Sequence, residues 1–496
     1  MVGKIGAAMI LTGDYVVTNA AAPPLKDGAI AISDGKVVAI GDLGEIKARH
    51  PDMPVRGGPG HAVIPGFIDS HQHGRGLTNI QRGVPDGPLE QWLIRLRGVW
   101  PAEPYLTTAL AAVRLLRSGV TTAMHHHATS GALPFEAEVE TSLQAYVDSR
   151  LRVTFTLDFR DTNYYVYAPD EKFLAGLSPE LAASVRAQVP ARELPKSFFV
   201  FGMLPGLREK YGSDRVLFAL GPQSMERSTE KLIGEIVAFA KSENLPIHTH
   251  ALETRWQRDA SLKDYGITPI ERLARLGLLT DKTSLAHMVW ASSGDLDIVK
   301  ATGAAIAHNP ASNLRLRSGV APVLAMLRAG IPVGLGMDSM SLSDRSDYFE
   351  DLRLCRNLHF DDGKALDDDQ LWRMLYEGGR AATFWGDSIG QLGVGSWADA
   401  VLFRLAADGR VKPVDPQWRV MDRVLREGSP ESIAAVIVGG EVVVEDGKCL
   451  TIDEASVLER IARAAEAVDS SALADRREII AALAAEVGNY LYKNFR

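Results

Sequence analysis

Two histidines that follow a short apolar run are the first residues of this sequence that could bind a metal ion. Residues 63–68 have the length and the β-branched content of a buried strand, and His71 and His73 come just after it. Alternate residues of an extended chain point to the same side, so these two imidazoles can face one ion. Pairs with this spacing also occur by chance on surfaces and in cores, so the rest of the chain is needed to decide.

Most histidines of the chain lie where predicted strands end. Nine of the 12 do so, at the ends of five strands: His71, His73, His125, His126, His127, His248, His250, His287 and His308. Random placement would scatter them, so their convergence on one rim predicts a metal site. Neighbours in a strand face opposite ways, so we expect at most two of residues 125–127 near the pocket. His248 either points with His250 or is a hydrogen-bonded core histidine.

Two acidic residues complete the predicted site. Asp338 ends the last predicted strand, in GLGMDS, and is the natural carboxylate complement to the histidines. The alternative is a helix N-cap or a turn aspartate. Glu253 follows His250 by three residues and can reach back over the metal as a proton shuttle, unless it is a solvated loop glutamate.

Eight short apolar strands alternate with helical patterns along the middle of the chain. The strands end in His71–His73, Thr121–His127, Val153–Phe159, Val216–Pro222, Ile247–His250, Ser284–Met288, Ala305–Pro310 and Val333–Ser339. Strands and helices that alternate in this way are typical of a parallel sheet. Eight strand–helix units predict an α/β fold, the (β/α)8 TIM barrel, with its active site at the carboxyl ends of the strands.

Both ends of the chain are rich in β-forming residues, and Asp34-Gly35 and Gly439-Gly440 predict tight hairpin turns. We predict that the two ends pair into one small β-sandwich, although two unrelated hairpins would show the same pattern. The predicted domains are residues 1–64 for the first part of the sandwich, 65–387 for the barrel, 388–450 for the second part of the sandwich and 451–496 for C-terminal helices.

The segment from Arg160 to Tyr211 is too long for an ordinary connection after a strand. It carries six aromatic residues, namely Tyr164, Tyr165, Tyr167, Phe198, Phe199 and Phe201. We interpret it as a lid or pocket wall on the catalytic face, or as a structural or oligomer-interface excursion. A wall of this kind predicts a largely apolar pocket, and hence an aromatic or alkyl-substituted substrate.

The composition excludes several classes of function. A chain of 496 residues, 46% of them hydrophobic, can fill a large barrel and a smaller domain. The net charge of −8 leaves no extended basic face, which argues against nucleic acid or an anionic membrane and favours a small-molecule substrate. Two cysteines make no disulfide framework, and neither a secretory signal nor a run of about 18 apolar residues is present, so we expect a soluble cytoplasmic protein.

The ordered motifs resemble the amidohydrolase superfamily, most of all the branch of cytosine, guanine and adenosine-type deaminases and triazine hydrolases. These motifs are HxH after strand one, HxxE after strand five, AH after strand six, HNPASN after strand seven and an aspartate after strand eight. The implied ligands of one zinc or iron ion are His71, His73, His250 and Asp338. The implied catalytic residues are Asp338, Glu253 as proton shuttle, and His287, which would orient the attacked group and the water. Strand four does not end in a lysine, so a carbamylated lysine bridging two metals is not expected.

The sequence departs from the common pattern of that branch at Gln72, at Gln223 and in GLGMDSMSLSD, which leaves the substrate open. Candidate substrate contacts are Gln72, Gln223, His126 and Asn309. The expected activity is metal-dependent hydrolysis of a non-peptide C–N bond, with release of ammonia or an amine from an N-heterocycle. The alternatives are hydrolysis of an aryl amide, urea or carbamate, and a non-catalytic binding subunit on the same scaffold. We expect a homodimer or a larger homo-oligomer.

Overall fold

Two large sheets organise the chain, one of eight parallel strands and one of nine mixed strands. The computed structural model describes residues 8–100, 102–191, 193–361, 363–405, 419–468 and 470–495. A small ribbon of Phe360–Asp361 and Lys364–Ala365 stands apart from both sheets.

The eight predicted barrel strands are all present and follow one another around the parallel sheet in sequence order. Their bounds are Phe67–Gln72, Val120–His126, Arg152–Phe159, Val216–Pro222, Ile247–Ala251, Thr283–His287, Ala305–His308 and Val333–Leu335. Their side chains are almost all buried, because helices cover the outer face of a parallel sheet and side chains fill its interior. The prediction of a (β/α)8 barrel is confirmed.

The first predicted strand is divided between the two sheets. Residues 63–65 end a strand of the nine-stranded sheet, Val55–Pro65, and the barrel strand begins at Phe67. Gly66 lies at the junction, where a Cβ atom would stand 2.1 Å from Thr121 Oγ1. Only glycine fits this close approach of two strands, so the run of apolar residues changes sheets at that point.

Backbone hydrogen bonds between the first and last strands close the barrel. Asp338 N donates to His71 O at 2.8 Å, and His73 N donates to Asp338 O at 2.8 Å. Deeper in the barrel, Met337 N donates to a carboxylate oxygen of Asp69 at 3.0 Å. The closure therefore falls on three of the four residues that the sequence predicts as metal ligands.

Helices surround the barrel, and capping residues mark where they begin and end. Those between and after the barrel strands are Asn79–Arg82, Leu89–Arg95, Pro104–Arg117, Phe135–Ser149, Glu230–Glu243, Arg255–Tyr265, Pro269–Arg275, Ser293–Thr302, Pro310–Arg315, Val323–Arg328, Tyr348–Leu358, Asp368–Arg373 and Gly379–Thr383. The helix Glu230–Glu243 shows the pattern, since Thr229 Oγ1 accepts from Leu232 N at its start and Asn244 ends it in the left-handed conformation. Within the described residues, no helix has the length and apolar character needed to cross a membrane.

Both chain ends build the nine-stranded sheet. Its strands are Met9–Val16, Leu25–Lys26, Gly28–Ser33, Lys36–Asp42, Val55–Pro65, Ala400–Arg404, Ile433–Val438, Glu441–Glu445 and Lys448–Cys449. The two ends meet where the fifth of these strands pairs antiparallel with the sixth, for example at Val63 opposite Leu402. The alternative of two unrelated hairpins is therefore wrong. The N-terminal and C-terminal parts that build this sheet also contain one helix each, Leu43–Arg49 and Val420–Glu427.

The two predicted hairpin turns are present and lie against each other. Asp34 and Gly35 have φ of 52° and 76°, and Gly439 and Gly440 have φ of 54° and 73°. Two successive left-handed residues are what a two-residue type I′ turn needs. A Cβ atom on Gly440 would lie 3.0 Å from Gly35 Cα, so the tips touch and the sheet curls around an apolar core of its own. The predicted sandwich is thus one curled sheet.

The long segment after the third barrel strand packs against the C-terminal helix. It contains helices Asp170–Leu174, Pro179–Gln188 and Ser197–Tyr211, while Glu454–Glu466 and Ser470–Asn494 are the two predicted C-terminal helices. Tyr164 and Tyr165 are buried in one apolar cluster with Leu483 and Val487 of the last helix. Tyr164 and Tyr165 therefore fit the interpretation of this segment as a structural excursion better than its interpretation as a pocket wall.

The other aromatic residues of this segment are also spread over several surroundings. Phe201 stacks on Phe239 of a barrel helix, with 4.1 Å between the ring centres. Phe198 and Phe199 are exposed. The ring centre of Phe201 also lies 5.4 Å from that of Phe159, at the carboxyl end of the third barrel strand. A lid or pocket wall on the catalytic face therefore stays a prediction for this part of the segment.

A buried ion pair joins the barrel to the nine-stranded sheet. Arg152 begins the third barrel strand, and its Nε donates to Asp399 Oδ2 at 2.8 Å with both side chains fully buried. The rings of Trp385 and Trp397 flank the guanidinium, with their centres 4.9 and 4.8 Å from Cζ. Asp399 also accepts from Gly439 N at 2.7 Å, so one carboxylate connects a barrel strand with a hairpin turn.

We predict that Asp399→Asn lowers the free energy of unfolding by about 3–5 kcal/mol, because it leaves a buried guanidinium without a counter-charge. Unfolding in urea, followed by circular dichroism, measures the change. Asp361→Asn is the matched control, since its ion pair with Arg328 is exposed on both sides and is expected to contribute less than about 1 kcal/mol. Similar losses in the two variants would contradict a special role for the buried pair.

Candidate metal centre and active site

Four side chains from the first, fifth and eighth strands meet at the carboxyl end of the barrel. His73 Nε2 lies 3.3 Å from His250 Nε2 and 3.4 Å from Asp338 Oδ1. His71 Nε2 lies 3.9 Å from the same Asp338 oxygen. Ligand atoms around a tetrahedral ion with bonds of about 2.1 Å are about 3.4 Å apart. The structure therefore brings the four residues predicted as ligands to a spacing that fits one ion, and we call them the metal cluster.

Two histidines of the metal cluster are oriented by backbone carbonyl groups. His73 Nδ1 lies 2.8 Å from the His126 carbonyl oxygen, and His250 Nδ1 lies 2.7 Å from the Gln223 carbonyl oxygen. A carbonyl oxygen can only accept, so the proton of each imidazole belongs on Nδ1. Each Nε2 then keeps its lone pair for an ion, which is the usual arrangement of a metal-binding histidine.

His71 is oriented by another histidine. Its Nδ1 lies 2.7 Å from His248 Nε2, and His248 Nδ1 lies 2.5 Å from Ser284 Oγ. His71 Nε2 is buried and has no hydrogen-bond partner among the described residues, as expected of a nitrogen that awaits an ion. Of the two roles that the sequence left open for His248, the structure shows the buried, hydrogen-bonded one, directly behind His71.

Burial determines the charge of the metal cluster. Burial and the neighbouring imidazoles lower the pKa of His71 well below its ordinary value, and burial lowers the pKa of His250 to about 4. Both rings are thus neutral at physiological pH, which is the form that binds metal ions. Burial raises the pKa of Asp338, even though Ser312 donates to its Oδ2 at 2.5 Å. A divalent cation would reverse that shift, because it stabilises the charged carboxylate.

Glu253 and His287 lie beside the metal cluster. His287 Nε2 is 3.7 Å from Glu253 Oε2 and 3.9 Å from Asp338 Oδ2, while its Nδ1 is 2.8 Å from Asn313 Oδ1. The contact with Asn313 fixes the ring so that Nε2 faces the site. Burial, together with the charges of Asp338 and Glu90, raises the pKa of Glu253 well above its ordinary value. This carboxyl group can therefore hold a proton near neutral pH, as a proton shuttle must.

Gln72 points away from the metal cluster. Its Nε2 donates to Tyr146 Oη at 2.6 Å, and its Oε1 accepts from Gly74 N at 2.8 Å. Alternation along the strand places it on the side opposite to His71 and His73. The prediction that Gln72 contacts substrate is therefore wrong, because its amide group hydrogen-bonds Tyr146 of an outer helix and the backbone of Gly74.

The three other candidate substrate contacts lie near the site. Gln223 Nε2 donates to Asp158 Oδ2 at 3.2 Å. The ring of His126 lies against the metal cluster, and neither of its nitrogens has a hydrogen-bond partner among the described residues. Asn309 Nδ2 lies 3.3 Å from Nδ1 of His287, on the side of the ring away from the site. Contact with substrate remains a prediction for these three residues.

Besides His126, His248 and His287, which lie next to the metal cluster, three more histidines of the predicted rim lie outside it. His125 Nδ1 is 2.8 Å from Tyr146 Oη, and the ring centre of His127 lies 6.2 Å from that of Phe135, so both face the helix Phe135–Ser149. One of residues 125–127 thus faces the site, within the predicted maximum of two.

His308 is the third of these histidines, and its Nε2 lies 2.8 Å from His359 Nε2, with Cys355 nearby. Two nitrogens at this distance share a hydrogen bond, and they are closer than the spacing of about 3.4 Å expected between two ligands of a tetrahedral ion.

Several supporting residues were not singled out from the sequence. Ser312 and Asn313 belong to the HNPASN motif after the seventh strand, so a signal was present without a role attached to it. Glu90 is buried, and its Oε1 accepts from Tyr167 Oη at 2.8 Å and from Thr254 Oγ1 at 2.6 Å. These bonds fix the loop that carries the neighbouring Glu253.

Comparisons of the sequence with known proteins identify a family and several relatives. The family described as "Amidohydrolase family" matches residues 62–443, and an imidazolonepropionase-like composite domain of bacteria matches residues 28–52. A 5-methylthioadenosine/S-adenosylhomocysteine deaminase of Thermodesulfovibrio yellowstonii is 26% identical over 483 residues, which cover 94% of this chain and 100% of that protein. A 5′-deoxyadenosine deaminase of Methanosarcina mazei is 26% identical over 471 residues, which cover 93% and 98%.

Solved structures share the fold. An adenosine deaminase from Xanthomonas campestris with bound zinc has a TM-score of 0.76 and 22% identity, covering 93% of this chain and 98% of that one. An atrazine chlorohydrolase from Arthrobacter aurescens, complexed with zinc and atraton, has a TM-score of 0.77 and 23% identity, covering 92% and 99%. At these identities the likeness shows a common fold.

We predict that His73→Ala weakens zinc binding by about 100-fold or more, because it removes one of four converging ligand atoms. Metal analysis of the purified variant and titration with zinc measure the loss. His127→Ala is the matched control, since this buried histidine of the same rim faces away from the cluster and should leave binding unchanged. A full equivalent of tightly bound zinc in His73→Ala would show that His73 is not a ligand.

Proposed function

The chain belongs to the amidohydrolase family, and from this premise we propose that it is a metal-dependent deaminase that releases ammonia from an amino-substituted N-heterocycle. The observation that carries the proposal is the meeting of a His3Asp cluster with the buried carboxyl group of Glu253 and the oriented imidazole of His287 at one rim. The curated relatives, which are named as deaminases of adenine nucleosides, support a ring of the adenine type.

We propose that the metal cluster holds one zinc or iron ion. Three neutral imidazoles and one carboxylate suit zinc. The fourth barrel strand ends without a lysine and is followed by Gln223, so it offers no lysine that could help to hold a second ion. When bound, such an ion lowers the pKa of water, so that water becomes a nucleophile at neutral pH.

Asp338 and Glu253 would move the protons of the reaction. Asp338 accepts a proton from the attacking water, while Glu253, whose buried carboxyl group is protonated, delivers a proton to the leaving nitrogen. The new C–O bond forms at the ring carbon, the C–N bond breaks, and the nitrogen leaves as ammonia. One water is consumed for each ammonia released: the proton of the added hydroxyl group moves to a ring nitrogen, so the ring keeps the oxygen as a carbonyl, and the proton on Asp338 returns to Glu253. His287 Nε2, held by Asn313 on its other side, orients the reacting groups between the two carboxyl groups.

We predict that the zinc-loaded protein releases ammonia from adenine nucleosides such as 5′-deoxyadenosine and 5′-methylthioadenosine. A coupled ammonia assay measures turnover across a panel that also contains triazines, aryl amides, ureas and carbamates. Removal of the ion with a chelator should abolish activity, and added zinc should restore it. Full activity without metal would contradict the proposal. Turnover of amides, ureas or carbamates alone would show that the protein hydrolyses these compounds and is not a deaminase.

We predict that Glu253→Gln keeps the ion but loses about a hundredfold or more in kcat, because the amide can neither accept nor deliver the proton. Metal content and kcat are measured on the same preparation. Glu243→Gln serves as control, since Glu243 is an exposed residue at the C-terminal end of the helix Glu230–Glu243, where it pairs with Arg208. If Glu253→Gln loses the metal instead, Glu253 acts as a ligand and the assigned role is wrong.

A further inference from the structure

Arg75 is a charged side chain at the catalytic rim that the mechanism above does not use. It follows His73 by two residues and is partly buried. Its guanidinium carbon lies 5.8 Å from the centre of the Trp92 ring. Trp92 in turn belongs to a buried apolar cluster with Leu316 and Leu342, which follow the seventh and eighth strands. Arg75 thus lies between the metal cluster and an apolar group of side chains at the same rim.

The guanidinium of Arg75 has no protein partner in the part of the chain that the structure describes. It makes no hydrogen bond there, and no carboxylate oxygen lies within 4.0 Å of it. Asp338 and Asp158 are the acidic residues that act on it most strongly. Asp338 is occupied by the metal cluster, and Asp158 Oδ2 accepts from Gln223 Nε2 at 3.2 Å.

Other interior arginines show how this chain usually treats a buried guanidinium. Arg152 donates to both carboxylate oxygens of Asp399, at 2.8 and 3.1 Å. Arg315 donates to both oxygens of Asp86, at 2.8 and 3.1 Å. Arg75 differs from these two arginines: its guanidinium is only partly buried and has no protein counter-charge, so its N–H groups are free to bind a ligand that supplies the negative charge beside the catalytic site.

We propose that Arg75 binds an anionic group of the substrate, so that the preferred substrate is an amino-heterocycle that carries a carboxylate or a phosphate. The inference rests on the proposed function, because the same rim must hold the heterocycle. The planar fork of N–H donors of arginine matches two oxygens of such a group, which a lysine ammonium cannot do. The Trp92 ring beside the guanidinium adds a flat apolar surface for the part of the substrate that carries the anion.

Matched ligands separate the anion from the rest of the substrate. The probes are 9-(carboxymethyl)adenine, its uncharged carboxamide and 9-(phosphonomethyl)adenine, tested on wild type, Arg75→Gln and Arg75→Lys. We expect Arg75→Gln to raise KM for the carboxylate about 10- to 100-fold, the range for loss of charge-assisted hydrogen bonds, with kcat and the carboxamide little changed. Arg75→Lys should recover part of the loss. Arg315→Gln is the control, since Arg315 is already paired with Asp86 and Asp344.

Calorimetric binding of the deaminated carboxylate product to the zinc-loaded protein provides a readout independent of turnover. Weaker binding in Arg75→Gln, but not in Arg315→Gln, supports the proposal, and tighter binding of the phosphonate supports it with phosphate as the anion. Equal affinity of wild type for carboxylate and carboxamide overturns it, as does an equal loss of both in Arg75→Gln. If the anion binds through Arg75 but no ammonia is released from any probe, the proposed function fails and the anion site stands.

Discussion

The closure of the barrel between its first and last strands is the interaction on which the site depends. The backbone of Asp338 exchanges hydrogen bonds with His71 and His73, so the contacts that complete the sheet also place three ligand side chains. Asp338 has φ of 64°, in the left-handed region that residues other than glycine rarely adopt. This conformation turns the chain out of the strand while the carboxylate stays over the rim, so the fold and the site share the same atoms.

Support for the metal cluster is spread over the whole barrel. The second strand supplies the carbonyl group that holds His73, the end of the fourth supplies the one that holds His250, and the fifth supplies His248 behind His71. Each histidine is therefore oriented by a strand other than its own. Because parallel strands hold one another at fixed spacing, the donor directions follow from the sheet and not from flexible loops, which is how a site becomes preorganised.

The parts that could be predicted from the sequence depend on short-range patterns. Alternation along a strand identified His71 and His73, and paired left-handed turn residues identified the hairpins. The same alternation turns Gln72 away from the pocket, toward Tyr146. The contact of Tyr164 and Tyr165 with the C-terminal helix joins segments about 300 residues apart, and such pairing leaves no local signal.

Buried carboxylates with fixed hydrogen-bond partners lie around the metal cluster. Glu90 is held by Tyr167 and Thr254, and Asp158 by Gln223, so their carboxylates have fixed directions. A site that hydrogen-bonds a substrate group rejects an analogue without that group by about 10⁴–10⁵-fold, whereas a missing methylene contact in an apolar pocket costs only about 10–200-fold. Under the proposed function, the metal cluster would determine which bond is hydrolysed, and the polar groups around it would determine which heterocycle reaches that bond. Changes at the rim can therefore alter the substrate without disturbing the barrel closure that holds the ligands.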